Sequence, residues 1–207
     1  MDVVTALLFI AVLIISVIIH EVSHGYMADY LGDPTARLQG RLTMNPIPHI
    51  DPVGSIVVPG LLALSGTGVI FGWAKPVPYN PHNLHNRYGD ALVAAAGPAS
   101  NLVLAVLAGF VFRLAPVAAT DPTGSFLLTV VLVNIVLMVF NLVPIPPLDG
   151  SKILFEFLPA KLDYIRQNLK QYGFIILIFF IFFAIELISP VIFGLFRLVS
   201  GVAGIPF

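Results

Sequence analysis

His20-Glu21-Val22-Ser23-His24 sets two imidazoles four residues apart with a carboxylate between them. On a helix of about 3.6 residues per turn the two rings stand about 40° apart around the axis, so both reach one metal ion. Glu21 lies about 100° from His20, beside the pair, where it can take a proton from a metal-bound water. In a shuffled chain of this composition the pattern arises on the order of 0.2% of the time, so it is a specific signal. The bland reading is two helix-end histidines with a surface carboxylate. Charged and polar groups at bilayer depth are costly enough to weigh against it.

Two histidines leave a catalytic zinc site short of its usual three protein ligands. His49, His82 and His85 are candidates, all in Pro/Asn-rich loops where a solvated imidazole is the default. Asp149 is a stronger one. It follows Asn141-Leu-Val-Pro144-Ile-Pro146-Pro147-Leu148, where three prolines break an apolar run in a way tolerated only beside protein or a cavity. As a carboxylate capping a turn at Gly150 it would be unremarkable, and both readings stand at this point. Asn141 could donate to a developing oxyanion or to substrate backbone, and the alternative for it and for Asn101 is a hydrogen bond between helices. The small residues of Ala94–Ser100 allow their helix close to the one that bears the histidines.

The elements that position these groups are those of a membrane protein. The chain of 207 residues is 58% hydrophobic and 10% charged, where a soluble domain carries about a quarter charged residues. A mean hydropathy of +0.97, with runs such as Val3–Ile19 and Phe174–Ile185, argues for a bilayer as the main solvent. A net charge of -1 gives no basic excess, so no nucleic-acid partner is expected. With zero cysteines, thiolate sites, disulfides and iron–sulfur clusters are excluded, and a metal must be held by histidine and carboxylate.

The first helix is expected from Asp2 through Tyr30, ending at Gly32-Asp33-Pro34, and is read as retained because Asp2 rather than a basic residue precedes it. Val53–Trp73 is apolar but interrupted by Gly54, Pro59, Gly60, Gly66 and Gly68. Ala91–Phe112 and Ser125–Val143 read as two crossings, and a hydrophobic tail follows from Gly173. If Val53–Trp73 does not span, Arg37, Arg41, Lys75, Arg87, Lys152, Lys161, Arg166 and Lys170 share one side, leaving Arg113 and Arg197. That side is then the cytoplasm and the N-terminus is outside. If it does span, the bias collapses and the exits of the first and fourth segments part. A re-entrant or hairpin-like Val53–Trp73 is therefore expected. Glu186 invites a functional reading as an intramembrane carboxylate, although Ser189-Pro190 suggests a helix end there.

Three stretches together resemble one family, the site-2 proteases, which are intramembrane zinc metalloproteases. They are the H-E-x-x-H helix, Gly97-Pro98-Ala99-Ser100-Asn101, and Asn141-x-x-Pro-x-Pro-x-Leu148-Asp149-Gly150. Gly40–Gly54 looks like the short prokaryotic branch, and no helix before the first one, no PDZ-sized insertion and no pair of CBS repeats is seen. The resemblance implies His20, His24 and Asp149 as ligands of one zinc ion, Glu21 as catalytic acid/base, Asn141 near the scissile carbonyl, and Asn101 as a further substrate-side contact. It implies an all-α polytopic bundle of about four to six transmembrane helices, a single domain over 1–207 with its core in 2–150 and further helices in 151–207. Expected partners are transmembrane protein or peptide substrates and the lipid bilayer, with the active site toward the cytoplasmic face of the cell membrane. A metal-ion transporter or channel is the main rival; it explains the ligands but not Glu21 between them, and no internal repeat is seen. An inert membrane binding protein is the third reading.

Overall fold

The structure is a computed structural model that describes residues 3–65, 72–183 and 185–203. Every regular element among these residues is helical: α1 (Val3–Tyr30), α2 (Thr35–Leu38), α3 (Val58–Ser65), α4 (Gly89–Leu114), α5 (Pro122–Asn141), α6 (Asp149–Phe157), α7 (Asp163–Phe183) and α8 (Ile185–Ser200). Among the described residues α1, α4 and α5 are long and apolar enough to cross a membrane. The α7 and α8 pair, bent by 69° at its break, makes a fourth crossing if taken as one span. The chain is an all-α polytopic membrane protein at the lower edge of the expected helix number.

Helix α4 sits at the centre, packed against α1, α5, α6 and α8. Its buried side is built from small residues, including Ala91, Ala94, Gly97, Ala105 and Ala108, which let neighbouring backbones close in. Beside it Leu128, Val131 and Ile135 of α5 and Phe196 of α8 complete a core from which water is excluded. The outward faces of α1 and α4 carry exposed Leu7, Ile10, Ile14, Val103, Leu107 and Phe110. Such a surface is satisfied by lipid.

Helix α1 ends where glycine was expected to end it, with Gly32 at φ 108. The Val53–Trp73 segment turns back on itself. Asp51 caps its start by accepting from the N–H groups of Val53 and Gly54. At the other end Trp73 N–H donates to Gly54 O at 3.1 Å, and Ser55 Oγ donates to Trp73 O at 2.9 Å. Its two ends therefore lie together, as a hairpin-like segment requires; residues 66–71, with Gly66 and Gly68, are outside the described residues. The loops after α1 and before α4 are also joined, by His85 N–H to Leu31 O at 2.9 Å and by Asn80 N–H to Asp33 Oδ2 at 2.6 Å. The end of α1 and the start of α4 thus occupy one end of the bundle.

One expectation is corrected. Ser189-Pro190 does not end a helix, because α8 runs through it. Pro190 removes the N–H that would have met Glu186 O, and Ser189 Oγ donates to that carbonyl instead at 2.9 Å. Glu186 itself is exposed in the first turn of α8.

Candidate metal centre

The C-terminal half of α1 delivers His20 and His24 to one face, and the proline-broken chain after α5 returns Asp149 to them at the start of α6. All three are buried. The Nε2 atoms of His20 and His24 are 3.1 Å apart, and Asp149 Oδ2 lies 3.1 Å from the first and 3.2 Å from the second. Among the described residues no other group of histidine and carboxylate side chains converges in this way. His49 is buried elsewhere with Nε2 on Thr43 O, and His82 and His85 are exposed, so none of the three joins the cluster.

The donor set fits a zinc ion. His24 Nδ1 is 2.7 Å from the carbonyl of Val93, which only accepts, so Nδ1 carries the proton and Nε2 presents a lone pair. That lone pair faces a carboxylate oxygen and a second imidazole nitrogen, an arrangement that calls for a cation among them. Ligand atoms around one tetrahedral zinc with bonds of about 2.05 Å are separated by about 3.3 Å. The observed edges of 3.1 to 3.2 Å match that triangle.

The helix that closes the back of the site is α4. A Cβ on Gly97 would overlap His24 Nε2 and His20 Cε1, so only glycine lets α4 lie against both rings. Four residues on, Asn101 is 0% exposed, with Oδ1 2.6 Å from His20 Nδ1 and Nδ2 donating to Asn134 Oδ1 at 2.8 Å. Both ends of the Asn101 amide are engaged inside the bundle, behind His20. Asn141 lies at the end of α5, half-buried, with Nδ2 donating to Leu137 O at 2.9 Å.

Glu21 is half-buried beside the cluster, and its Oε2 accepts from Val77 N–H at 3.0 Å. Sequence reasoning gave no sign of this contact. It arises because the non-helical run after Trp73 is held along the inner loops: Lys75 N–H donates to His49 O at 2.9 Å, and buried Arg41 donates to Lys75 O at 2.9 Å and Pro76 O at 3.3 Å. Pro76 and Pro78 on either side of Val77 stiffen the run. Tyr79 follows, its hydroxyl donating to Asp90 at the start of α4 and its ring 4.9 Å from the Lys152 ammonium on α6. Burial and the Asp90 carboxylate hold the Tyr79 phenol well above its usual value, so it stays a neutral donor. Asn134 and Ser16, also missed, are polar residues flanked on both sides by apolar stretches of their helices, and that anomaly was the available signal.

The model of peptidase family M50 matches residues 115–184, the part that holds Asn141 and Asp149. The chain is 40% identical over 172 residues to "Putative zinc metalloprotease YwhC" of Bacillus subtilis, covering 79% of this chain and 75% of that protein. It is 33% identical over 177 residues to "Putative zinc metalloprotease Rip2" of Mycolicibacterium smegmatis, covering 83% of this chain and 65% of that protein. A protein of the same name from Mycobacterium tuberculosis is 30% identical over 172 residues, and the chain spans 62% of its length. No solved structure matches.

Proposed function

Since the chain belongs to peptidase family M50, the site-2 protease family of zinc metalloproteases, we propose that it hydrolyses peptide bonds of transmembrane substrates within the bilayer. The observation that carries this reading is the convergence of His20, His24 and Asp149 beside Glu21 on a helix long and apolar enough to cross a membrane. His20, His24 and Asp149 hold the zinc ion. Bound there, zinc supplies Lewis acidity that makes water a nucleophile near neutral pH.

Glu21 is the acid/base. Its carboxylate takes the proton from the attacking water and returns it to the leaving nitrogen, while Val77 N–H keeps one oxygen in place. Asn141 has a second amide hydrogen beyond the one given to Leu137, and it serves the substrate carbonyl as charge develops there. A substrate helix bonds its own carbonyls, so it must unwind to be cut, and substrates with helix-breaking residues near the cleaved bond are favoured. With eight of ten basic residues on the side to which α1 delivers His24, the N-terminus is outside and the site opens toward the cytoplasm of the cell membrane.

The test is made on detergent-purified protein, with zinc per chain and cleavage of a model transmembrane peptide measured together. Glu21→Gln should keep about one zinc per chain and lose cleavage, whereas Asp149→Ala should lose both. Near-normal proteolysis by Glu21→Gln, or full zinc in Asp149→Ala, would sink the assignment.

A further inference from the structure

Behind His20 a line of buried polar groups runs into the apolar middle of the bundle and touches three helices. His20 Nδ1 is 2.6 Å from Asn101 Oδ1; Asn101 Nδ2 donates to Asn134 Oδ1 at 2.8 Å; Asn134 Nδ2 donates to Ser16 Oγ at 3.0 Å and to Val130 O at 2.9 Å. Asn101 and Asn134 are 0% exposed and Ser16 is 3% exposed, so water does not complete these bonds. The direction of the line is not free. Val130 O is a carbonyl and only accepts, so the end of Asn134 that faces it must be NH2. The oxygen of Asn134 then faces Asn101, which must answer with its own NH2, and its approach to the Ser16 carbonyl at 3.5 Å points the same way. Asn101 is left with its oxygen toward His20. An oxygen there requires a proton on Nδ1.

We infer that Asn134 and Ser16 are positioning residues that fix His20 as its Nδ1–H tautomer through Asn101, and so hold its Nε2 lone pair toward the metal. His24 reaches the same tautomer directly, from the carbonyl of Val93. The two ligands are thus oriented by different means: one by backbone alone, the other by two side-chain amides whose polarity is set by backbone carbonyls. Without Asn134 the Asn101 amide keeps only the long contact of its NH2 with the Ser16 carbonyl at 3.5 Å, and a reversed amide would ask His20 for a lone pair at Nδ1 and place the proton at Nε2. That proton would stand where the metal binds. Removing the direct partner of a metal ligand changes metal affinity by about 10–100-fold, and Asn134 acts one step further back, through Asn101.

Valine and threonine have the same shape and differ by a methyl for a hydroxyl, which makes Asn134→Val and Asn134→Thr a matched pair. A threonine hydroxyl four residues after Val130 donates to that carbonyl and accepts from Asn101, preserving the direction of the line. Because the inference rests on zinc at His20, His24 and Asp149, wild type and His20→Ala are measured beside the pair. Zinc affinity is read by chelator competition, and the visible spectrum of Co²⁺-loaded protein reports ligand geometry. Asn134→Val should bind zinc about tenfold more weakly, the low end of what loss of a direct partner costs, with an altered Co²⁺ spectrum, and Asn134→Thr should recover most of that affinity. Equal affinity in wild type and Asn134→Val, or equal weakening in Val and Thr variants, overturns the relay. Should Asn134→Val fail to fold, Asn134→Ala against Asn134→Ser poses the same question. If wild type holds no more zinc than His20→Ala, it is the metal assignment that fails; if wild type exceeds His20→Ala and Asn134→Val equals wild type, only the relay fails.

Discussion

Gly97 is where the chemistry meets the packing, because both imidazoles rest on the space its missing side chain leaves. Alanine there must turn the rings or push α4 away, and a misplacement of about 1 Å in a catalytic group costs about 10²-fold in rate. Gly97→Ala is therefore expected to lose metal and about 10²-fold in cleavage while keeping its helical content; wild-type zinc and rate in that variant would refute the contact. The pair His20 and His24, with Glu21 beside it, was readable in the sequence, since a metal demands certain side chains at certain spacings, whereas Asp149 stood between two readings until the family resemblance singled it out. Gly97 was readable only as one small residue in a run of them. What it touches depends on how α4 crosses α1. Asn134 and Ser16 were less readable still: they meet across 118 positions of sequence, and each alone resembles ordinary helix-to-helix polar contact.

Among the elements, the loop after α1 is tied to the loop before α4 chiefly through one carboxylate. Asp33 is 0% exposed and accepts from Thr35 N–H and hydroxyl, Asn80 N–H and Asn83 Nδ2. Burial pushes its carboxyl up, but these donors together outweigh burial and hold it below the ordinary carboxylate value. A depressed value stabilises the fold above about pH 4, and that stability is lost as pH falls through the folded value. Asp33→Ala removes the shared acceptor of four hydrogen bonds, each contributing about 0.5–1.5 kcal/mol, so a loss of about 3 kcal/mol is expected at neutral pH. The gap from wild type should narrow as pH falls from about 5 to below the ordinary carboxylate value of about 4. Denaturant titration of both proteins at those pH values checks it; a constant gap would mean the carboxylate does not act through its charge. The sequence marked this element boundary by glycine and proline. It did not mark the aspartate between them, because what Asp33 binds lies about fifty residues on.

For the molecule as a whole, the paired ends of the Val53–Trp73 segment and the joined loops at Leu31–Asp33 and Asn80–His85 put the start of α4 at the end of the bundle where α1 exits. Crossings by α4 and α5 then bring Asp149 back to the histidines, and an odd number would part the ligands by about a bilayer thickness. In this chain without cysteines, single cysteines at the exposed positions His82 and Lys161 are expected to react with a membrane-impermeant thiol reagent from the cytoplasm, and one at Thr120 from outside. Reaction of position 82 from outside would require the topology to be redrawn. The even count follows from charge bias and ligand chemistry, which is why it was legible early, whereas the way the Val53–Trp73 segment folds back depends on contacts such as Gly54 with Trp73 that no periodicity encodes. One consequence reaches past catalysis. His20 and Asp149 are 129 positions apart, so a metal shared between them closes most of the chain into a single ring. A chain with no disulfide thereby gains a reversible cross-link; the unfolded state, which has no preformed site, forgoes it, and each tenfold rise in free zinc above the dissociation constant widens the gap between folded and unfolded by about 1.4 kcal/mol.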